Sequence, residues 1–310
     1  MKTEWEKVVA TEGLQTQQQE KEREVQVARG HDAERRKRPG SKILAWGILA
    51  LFLVGTLLPF YWMMITSVKS DQELFSRASP LFVQSITWQH YSDLLSRTLF
   101  AAWFVNSVVV AVATTVLGLI LGSLAAYGIT RTQSVTGSTI ARIILLVYLI
   151  PRTVLFIPLY QVLSAMGLLD SLVGLILAYL TFTLPFCMWL LIGYFKSVPM
   201  ELDEAALIDG ASPFGTLWRV ILPIARPGLV AAAIFAFSMS WNEFMYPLAF
   251  IQSSSQQTLT VGIAALQQGD VFSWGQLMAA GTLAAVPIVI IYSLIQKHIV
   301  SGLTAGAVKG

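Results

Sequence analysis

Apolar and polar residues alternate along this chain in long blocks, at neither helical nor strand spacing. Six apolar stretches, 43–64, 104–129, 143–163, 172–194, 229–251 and 277–295, each approach the roughly 20 residues an α-helix needs to cross the hydrocarbon core. The pattern predicts an all-α, polytopic membrane protein with six spans. A seven-residue link, 164–170, joins the third and fourth stretches and predicts a helical hairpin. A polar tail, residues 1–42, precedes the spans, and a Gly-rich tail, 301–310, follows the membrane domain 43–300.

The polar interval 197–223, SVPMELDEAALIDGASPFGTLWRVILP, carries its own helix signals. Pro199 suits a first helical position, where its missing N–H costs nothing, and Glu201, Asp203 and Glu204 place negative charge in the opening turns, where the helix dipole favours it. Gly210 stands where a left-handed cap ends a helix. Ser212-Pro213 then starts a second helix, and Pro223 marks a stop or kink. A helix, a tight turn and a second helix are expected.

Composition agrees with the block pattern. The chain is 55% hydrophobic and 13% charged, about half the charge of a typical soluble domain. Its single cysteine, Cys187, excludes an intrachain disulfide and lies in an apolar run, where packing is the expected role. The histidines, His31, His90 and His298, form no ligand pattern. No nucleic-acid partner is implied. The basic run Arg35-Arg36-Lys37-Arg38, then Arg131 and Arg142, then Lys196, Arg219 and Arg226, then Lys297 and Lys309, all fall on one side of a six-span chain. Only Lys69, Arg77 and Arg97 fall on the other side. Lysine and arginine concentrate in the cytoplasm, so both termini and the 197–223 interval are expected there.

Several intramembrane features stand out. Gly118, Gly122 and Ala126, four residues apart, form a small-residue seam for close helix packing. Arg152 lies ten residues beyond Arg142, about 15 Å along a continuous helix and so near mid-membrane. Trp241-Asn242-Glu243-Phe244 places the one acidic residue of the six stretches, Glu243, in the fifth. Such charges are costly in lipid and face partners or wet cavities. Arg152, Asn242 and Glu243 are the candidates for a translocation path, and Arg152 is one possible partner for Glu243. Pro247 and Pro287 are expected to kink the fifth and sixth spans.

The 197–223 interval resembles the cytoplasmic signature of bacterial ABC importer permeases: EAA, three residues, Gly, nine residues, Ile-x-Leu-Pro. Here Glu204-Ala205-Ala206, Gly210 and Val220-Ile221-Leu222-Pro223 stand in register, with Val220 for the usual Ile. Asn106-Ser107, Ala125-Ala126-Tyr127, Ile157-Pro158-Leu159-Tyr160, the WNEF run and the C-terminal tail are similar to the MalG-like carbohydrate branch. The polar tail 1–42 is longer and more charged than that branch's pattern.

The resemblance implies a non-catalytic transport subunit of the bacterial inner membrane, paired with a second permease. Beneath the two would sit a dimer of ABC ATPase subunits, and an extracytoplasmic solute-binding protein would deliver a sugar. Surrounding lipid is the remaining partner. This chain would bind no cofactor; ATP and magnesium would belong to the ATPase, and no P-loop occurs here. Leu202, Glu204, Ala205, Ala206, Asp209, Gly210, Leu222 and Pro223 would form the ATPase-coupling surface, with Leu207 beside them. Gly306 and Lys309 would reach the ATPase through an extended tail that also contains Gly302 and Gly310. Other small polar solutes, such as a polyamine or phosphate ester, stand as alternative cargo. A self-contained secondary transporter with binding groups at broken helices is the competing class, and a membrane scaffold a third.

Overall fold

The computed structural model describes residues 39–76, 81–131, 135–267 and 273–307, the backbone alone at 39–42, 135 and 295–307. Most of the polar tail, and Arg77, Lys309 and Gly310, lie outside the described residues. The elements in chain order are α1 Pro39–Val68, α2 Asp71–Leu74, α3 Gln89–Arg97, α4 Phe100–Arg131, α5 Val135–Tyr148, α6 Arg152–Ala165 and α7 Leu172–Lys196. There follow α8 Glu201–Ile208, α9 Pro213–Thr216, a π-helical turn Leu217–Ile221, α10 Leu222–Ile224, α11 Arg226–Trp241, α12 Met245–Phe250, a 3-10 turn Ser254–Gln256, α13 Leu259–Ala265 and α14 Trp274–Ala307.

The chain divides into two compact units, residues 1–62 and 63–310. The described part of the first is the larger part of α1, apolar on every face from Ile43 to Trp62 as lipid contact requires. The second holds the core. Among the described residues four helices are long and apolar enough to span a membrane, and six spans result when each of two bent pairs counts as one.

Breaks within two of the stretches add detail to the sequence expectation of six spans. The third stretch breaks between Tyr148 and Arg152, where α5 and α6 meet at 94°. Pro151 cannot donate a backbone hydrogen bond and biases the residue before it away from helix. Arg152 is therefore the first residue of a new helix, and its depth cannot be counted along one helix from Arg142. The fifth stretch breaks at Asn242–Phe244, and Pro247 lies within the separate short helix α12. A second bend, 84°, separates the Pro213–Ile224 segment from α11, immediately after Pro223. Pro287 sits inside the unbroken α14.

The small-residue seam works as expected. A Cβ on Gly122 would lie 3.1 Å from Cys187 Cβ, and one on Gly118 3.6 Å from Cys187 Sγ, so α4 and α7 approach at these positions. Cys187 is a buried packing residue of the core that also holds Ala126, Leu191, Phe195, Leu217 and Ile221. A second core joins α3, α4, α11, α13 and α14 around Trp103, Phe237 and Trp241, and a third surrounds Tyr179, Phe182, Tyr246 and Phe250.

The 164–170 link turns through Gly167 at φ +67° and Asp170 at φ +55°. Asp170 N–H donates to Phe250 O at 2.8 Å, and Asp170 Oδ1 accepts from the N–H groups of Gln252 and Ser253 at 3.0 and 2.9 Å. Ser253 Oγ donates to Asp170 Oδ2. These bonds, those from the Ser253 hydroxyl and backbone first, hold the carboxyl of Asp170 below its ordinary range. They clasp the loop after α6 to the loop after α12. Nearby, Asn106 Nδ2 donates to Ser255 O and Gln257 O at 2.8 and 2.9 Å.

Candidate functional site

The 197–223 interval forms the helix–turn–helix that its residues predict, with one shift. Pro199 lies before α8 rather than in its first position: Met200 is the N-cap and the helix begins at Glu201. Its end is a Schellman cap: Ala211 N–H bonds Ala206 O at 2.9 Å and Gly210 N–H bonds Leu207 O at 3.0 Å. Gly210 has φ +84°, the left-handed conformation that an L-residue with a Cβ rarely adopts. Ser212 Oγ accepts from Gly215 N–H at 3.1 Å, and Pro213 takes the first position of α9. Leu222 is buried in the core while Pro223 is exposed.

The outer face of this hairpin carries apolar side chains toward solvent. Leu202 and Leu207 are 38% and 50% exposed, and Ile208 is 86% exposed. Phe214 and Trp218 continue the surface, their rings 6.0 Å apart. Glu204, Ala205 and Asp209 are exposed and Ala206 is half-buried. The sequence reading named Leu202 and Leu207 but missed Ile208, Phe214 and Trp218, although all five lie within the same interval.

It also missed what holds the hairpin in place. Asp203, named only as a dipole-compensating charge, is 5% exposed and faces inward. Its Oδ2 lies 2.9 Å from a guanidinium nitrogen of Arg131, and its Oδ1 accepts from Tyr127 Oη at 2.8 Å. Arg131 also donates to the carbonyls of Phe195 and Val198, each at 3.4 Å. One buried carboxylate thus ties α8 to the last turn of α4, and one arginine ties both to the end of α7. The residues were visible as one of three acids in the opening of α8 and a Tyr-x3-Arg at the end of a span, but sequence offers no means of telling which acid turns inward or of pairing positions 76 residues apart.

In the membrane region the structure brings Arg152 and Glu243 together. Their side chains approach at 3.5 Å, Glu243 10% and Arg152 39% exposed. The guanidinium lies 4.4 Å from the Phe182 ring centroid, a cation–π contact. Both charges sit at helix breaks. Glu243 Oε1 accepts from Met245 N–H at 2.9 Å, capping the start of α12, and Tyr246 Oη donates to Arg152 O at 2.9 Å. Thr260 Oγ1 donates to Glu243 O at 2.7 Å. Each break leaves backbone groups without helical partners, and the ion pair's own neighbours satisfy them. Asn242 is not drawn in: its amide turns back to Ser238 O at 2.8 Å and is exposed. Tyr179, Phe182, Tyr246 and Phe156 line the surroundings with aromatic faces.

At the C-terminus the expected extended tail is replaced, as far as Ala307, by continued helix, so Gly302 and Gly306 are helical backbone. An α-helix that begins in lipid propagates at little cost once nucleated. Lys309 lies outside the described residues.

Broken spans inside a helical membrane fold, with a capped hairpin in EAA–Gly register, define the membrane subunit of a binding-protein-dependent importer. The comparisons agree. Residues 118–305 match the family model "binding-protein-dependent transport system inner membrane component", and the chain belongs to that family. It is a multi-pass inner-membrane permease of the ABC importer type. It is 37% identical over 276 residues to the inner membrane ABC transporter permease protein YcjP of Escherichia coli, covering 88% of this chain and 99% of that one. It is 38% identical over 264 residues to the trehalose/maltose permease MalG of Thermococcus litoralis, covering 84% and 94%. A crystal structure of a bacterial ABC transporter importing the acidic polysaccharide alginate superposes with a TM-score of 0.73 at 22% identity, over 83% of this chain and 95% of that one.

Proposed function

We propose that this permease carries a sugar or short oligosaccharide, delivered by an extracytoplasmic binding protein, and that a pair of ABC ATPase subunits drives it through the 197–223 hairpin. The observation that carries the reading is the hairpin's two-sidedness. Its outer face offers Leu202, Leu207, Ile208 and Glu204 to a partner, while its inner face is bolted by Asp203 to Arg131 and Tyr127. A docking element that moves a membrane domain needs both: a surface to be pushed and a rigid connection to the spans. Asp203 is a positioning residue in this scheme. The gathering of Lys and Arg on one side of the spans supports a cytoplasmic position for the hairpin and both termini.

The cargo class rests on relatives named for sugars: trehalose and maltose, and sulfoquinovosyl glycerol in a 35% identical Agrobacterium fabrum permease. A second, related permease completes the membrane dimer, and this chain itself binds no nucleotide. Arg152 and Glu243, at breaks in two spans and among aromatic rings, suit a path for a polyhydroxylated solute. Rings offer apolar faces to sugar C–H groups and the charges offer hydrogen bonds. On the opposite side, Phe75, Phe82, Ile86 and Trp88 are exposed around the folded loop that joins α1 to α3, a surface suited to the binding protein.

Reconstitution in proteoliposomes with the second permease, ATPase and binding protein tests this. ATP-dependent uptake of a labelled di- or oligosaccharide, lost with Ile208→Asp together with ATPase co-purification, is the expected result. Uptake that persists without the ATPase would establish a secondary transporter instead, and uptake of polyamine or phosphate ester alone would overturn the sugar assignment.

A further inference from the structure

We infer that the groove between α5 and the cytoplasmic end of α7 is a binding site for an anionic phospholipid of the inner leaflet. A cavity of about 610 Å³ opens there, lined by Ser138, Arg142 and Leu145 of α5 and by Trp189, Leu190 and Lys196 of α7. The two helices run antiparallel, so Ser138 and Arg142 near the start of α5 meet Lys196 at the end of α7. The polar end of the groove is therefore at the 197–223 side, and Leu145 and Leu190 form an apolar floor farther along both helices. Tyr194 closes one wall, its ring so near Gly228 that a Cβ there would lie 2.4 Å from it.

The charges are what select the occupant. Among the described residues the side chains of Arg142, Lys196, Arg219 and Arg226 form no ion pair or hydrogen bond, whereas Arg131, Arg97 and Arg152 each face a carboxylate, and of those four it is Arg142 and Lys196 that share the lining of this groove. The nearby acid Asp203 is already committed to Arg131. Two unneutralised cations over an apolar floor, beside a tryptophan and a tyrosine, match a phosphate headgroup above acyl chains. The orientation of the groove rests on the cytoplasmic placement of the hairpin proposed above.

The test uses the assembled permease–ATPase complex, exchanged into detergent with defined lipid and read by mass spectrometry of retained lipid. Phosphatidylglycerol should be retained over phosphatidylcholine. Arg142→Gln with Lys196→Gln should weaken that retention about thirtyfold, each charge near an anionic surface being worth about fivefold. Arg142→Lys with Lys196→Arg should preserve it. Equal retention of the two lipids, or no change in the Gln double variant, overturns the site. So does competition by millimolar inorganic phosphate, which would make it a free-anion site, or efficient cross-linking of a cysteine at Leu145 to the second permease, which would make it a subunit interface. A Ser197→Cys variant labelled from outside by an impermeant reagent would instead refute the orientation, leaving lipid retention as a separate result.

Discussion

Two ion pairs in this protein differ in length, in burial and in what they join. Arg131–Asp203 is short, at 2.9 Å, and nearly dry on both sides, at 12% and 7% exposure. Arg152–Glu243 is longer, at 3.5 Å, with the arginine 39% exposed. The first joins unbroken helix ends and shares its carboxylate with Tyr127. The second joins two breaks and shares its groups with backbone. Removing one partner of a buried pair strands a charge, while a wetter pair loses less because water replaces the contact. In the proposed scheme rigidity belongs at the hairpin, which would transmit force. The looser pair stands where two spans can rearrange.

The bolt should give the largest effect. Asp203→Ala should cost about 3–5 kcal/mol by leaving Arg131 buried and unpaired. Thermal unfolding of the complex would measure it, and Arg131→Leu with Asp203→Leu should recover most of that loss. If the double variant also regains solute-stimulated ATP hydrolysis, the bolt serves stability alone and the contrast with Arg152–Glu243 fails.

Next in size is Gly210→Val, expected to cost about 1–3 kcal/mol because a β-branched residue is forced to positive φ. Gly210→Asn should cost less, since Asn visits that conformation more readily. ATPase co-purification from solubilised membranes distinguishes the two. Equal recovery for both variants would show that the Schellman turn is not needed for docking.

The looser pair should show the opposite balance of stability and transport. Glu243→Gln keeps an acceptor for Met245 N–H and removes the charge, so about 1–2 kcal/mol of stability is at stake. Uptake should fall far more than the unfolding temperature does, and likewise for Arg152→Met. A cycle of the two variants should show a coupling of about 1 kcal/mol. Wild-type uptake in both would remove these residues from the path.

The smallest effect concerns the outer clasp. Asp170 titrates below its ordinary value, so its contribution is complete above the unfolded carboxylate value of about 3.9 and disappears as pH falls through the lower folded one. Limited proteolysis of the 252–258 loop should show an acid step below about pH 4 that Asp170→Asn lacks. An identical acid step in the variant would assign it to another group.

How much of this was legible beforehand varies with the kind of signal. Block hydrophobicity marked the apolar stretches from which the described helices make four spans, or six with each bent pair counted as one, because crossing a bilayer imposes a length and composition that no other environment requires. Gly210, Ser212 and Pro213 announced the hairpin's turn and second start, because caps are local. Even the broken spans had a local mark: Pro151 and the Asn242-Glu243 polar pair stood where the helices stop. That the first is a 94° bend and the second the end of a helix did not follow, since a proline in lipid is as compatible with a kink as with a break.

By itself, then, the sequence determined the class of fold, the six apolar stretches and the position of the capped hairpin. All three follow from periodicity, composition and short-range backbone chemistry. Only the tertiary structure decided that Asp203 faces Arg131 and Tyr127, that Arg152 meets Glu243 across two breaks, and that Arg142 and Lys196 flank one groove. Each of these depends on which helices become neighbours. That choice is made by close packing over whole surfaces, such as the Gly118–Gly122 seam against Cys187, and no single residue's spacing along the chain records it.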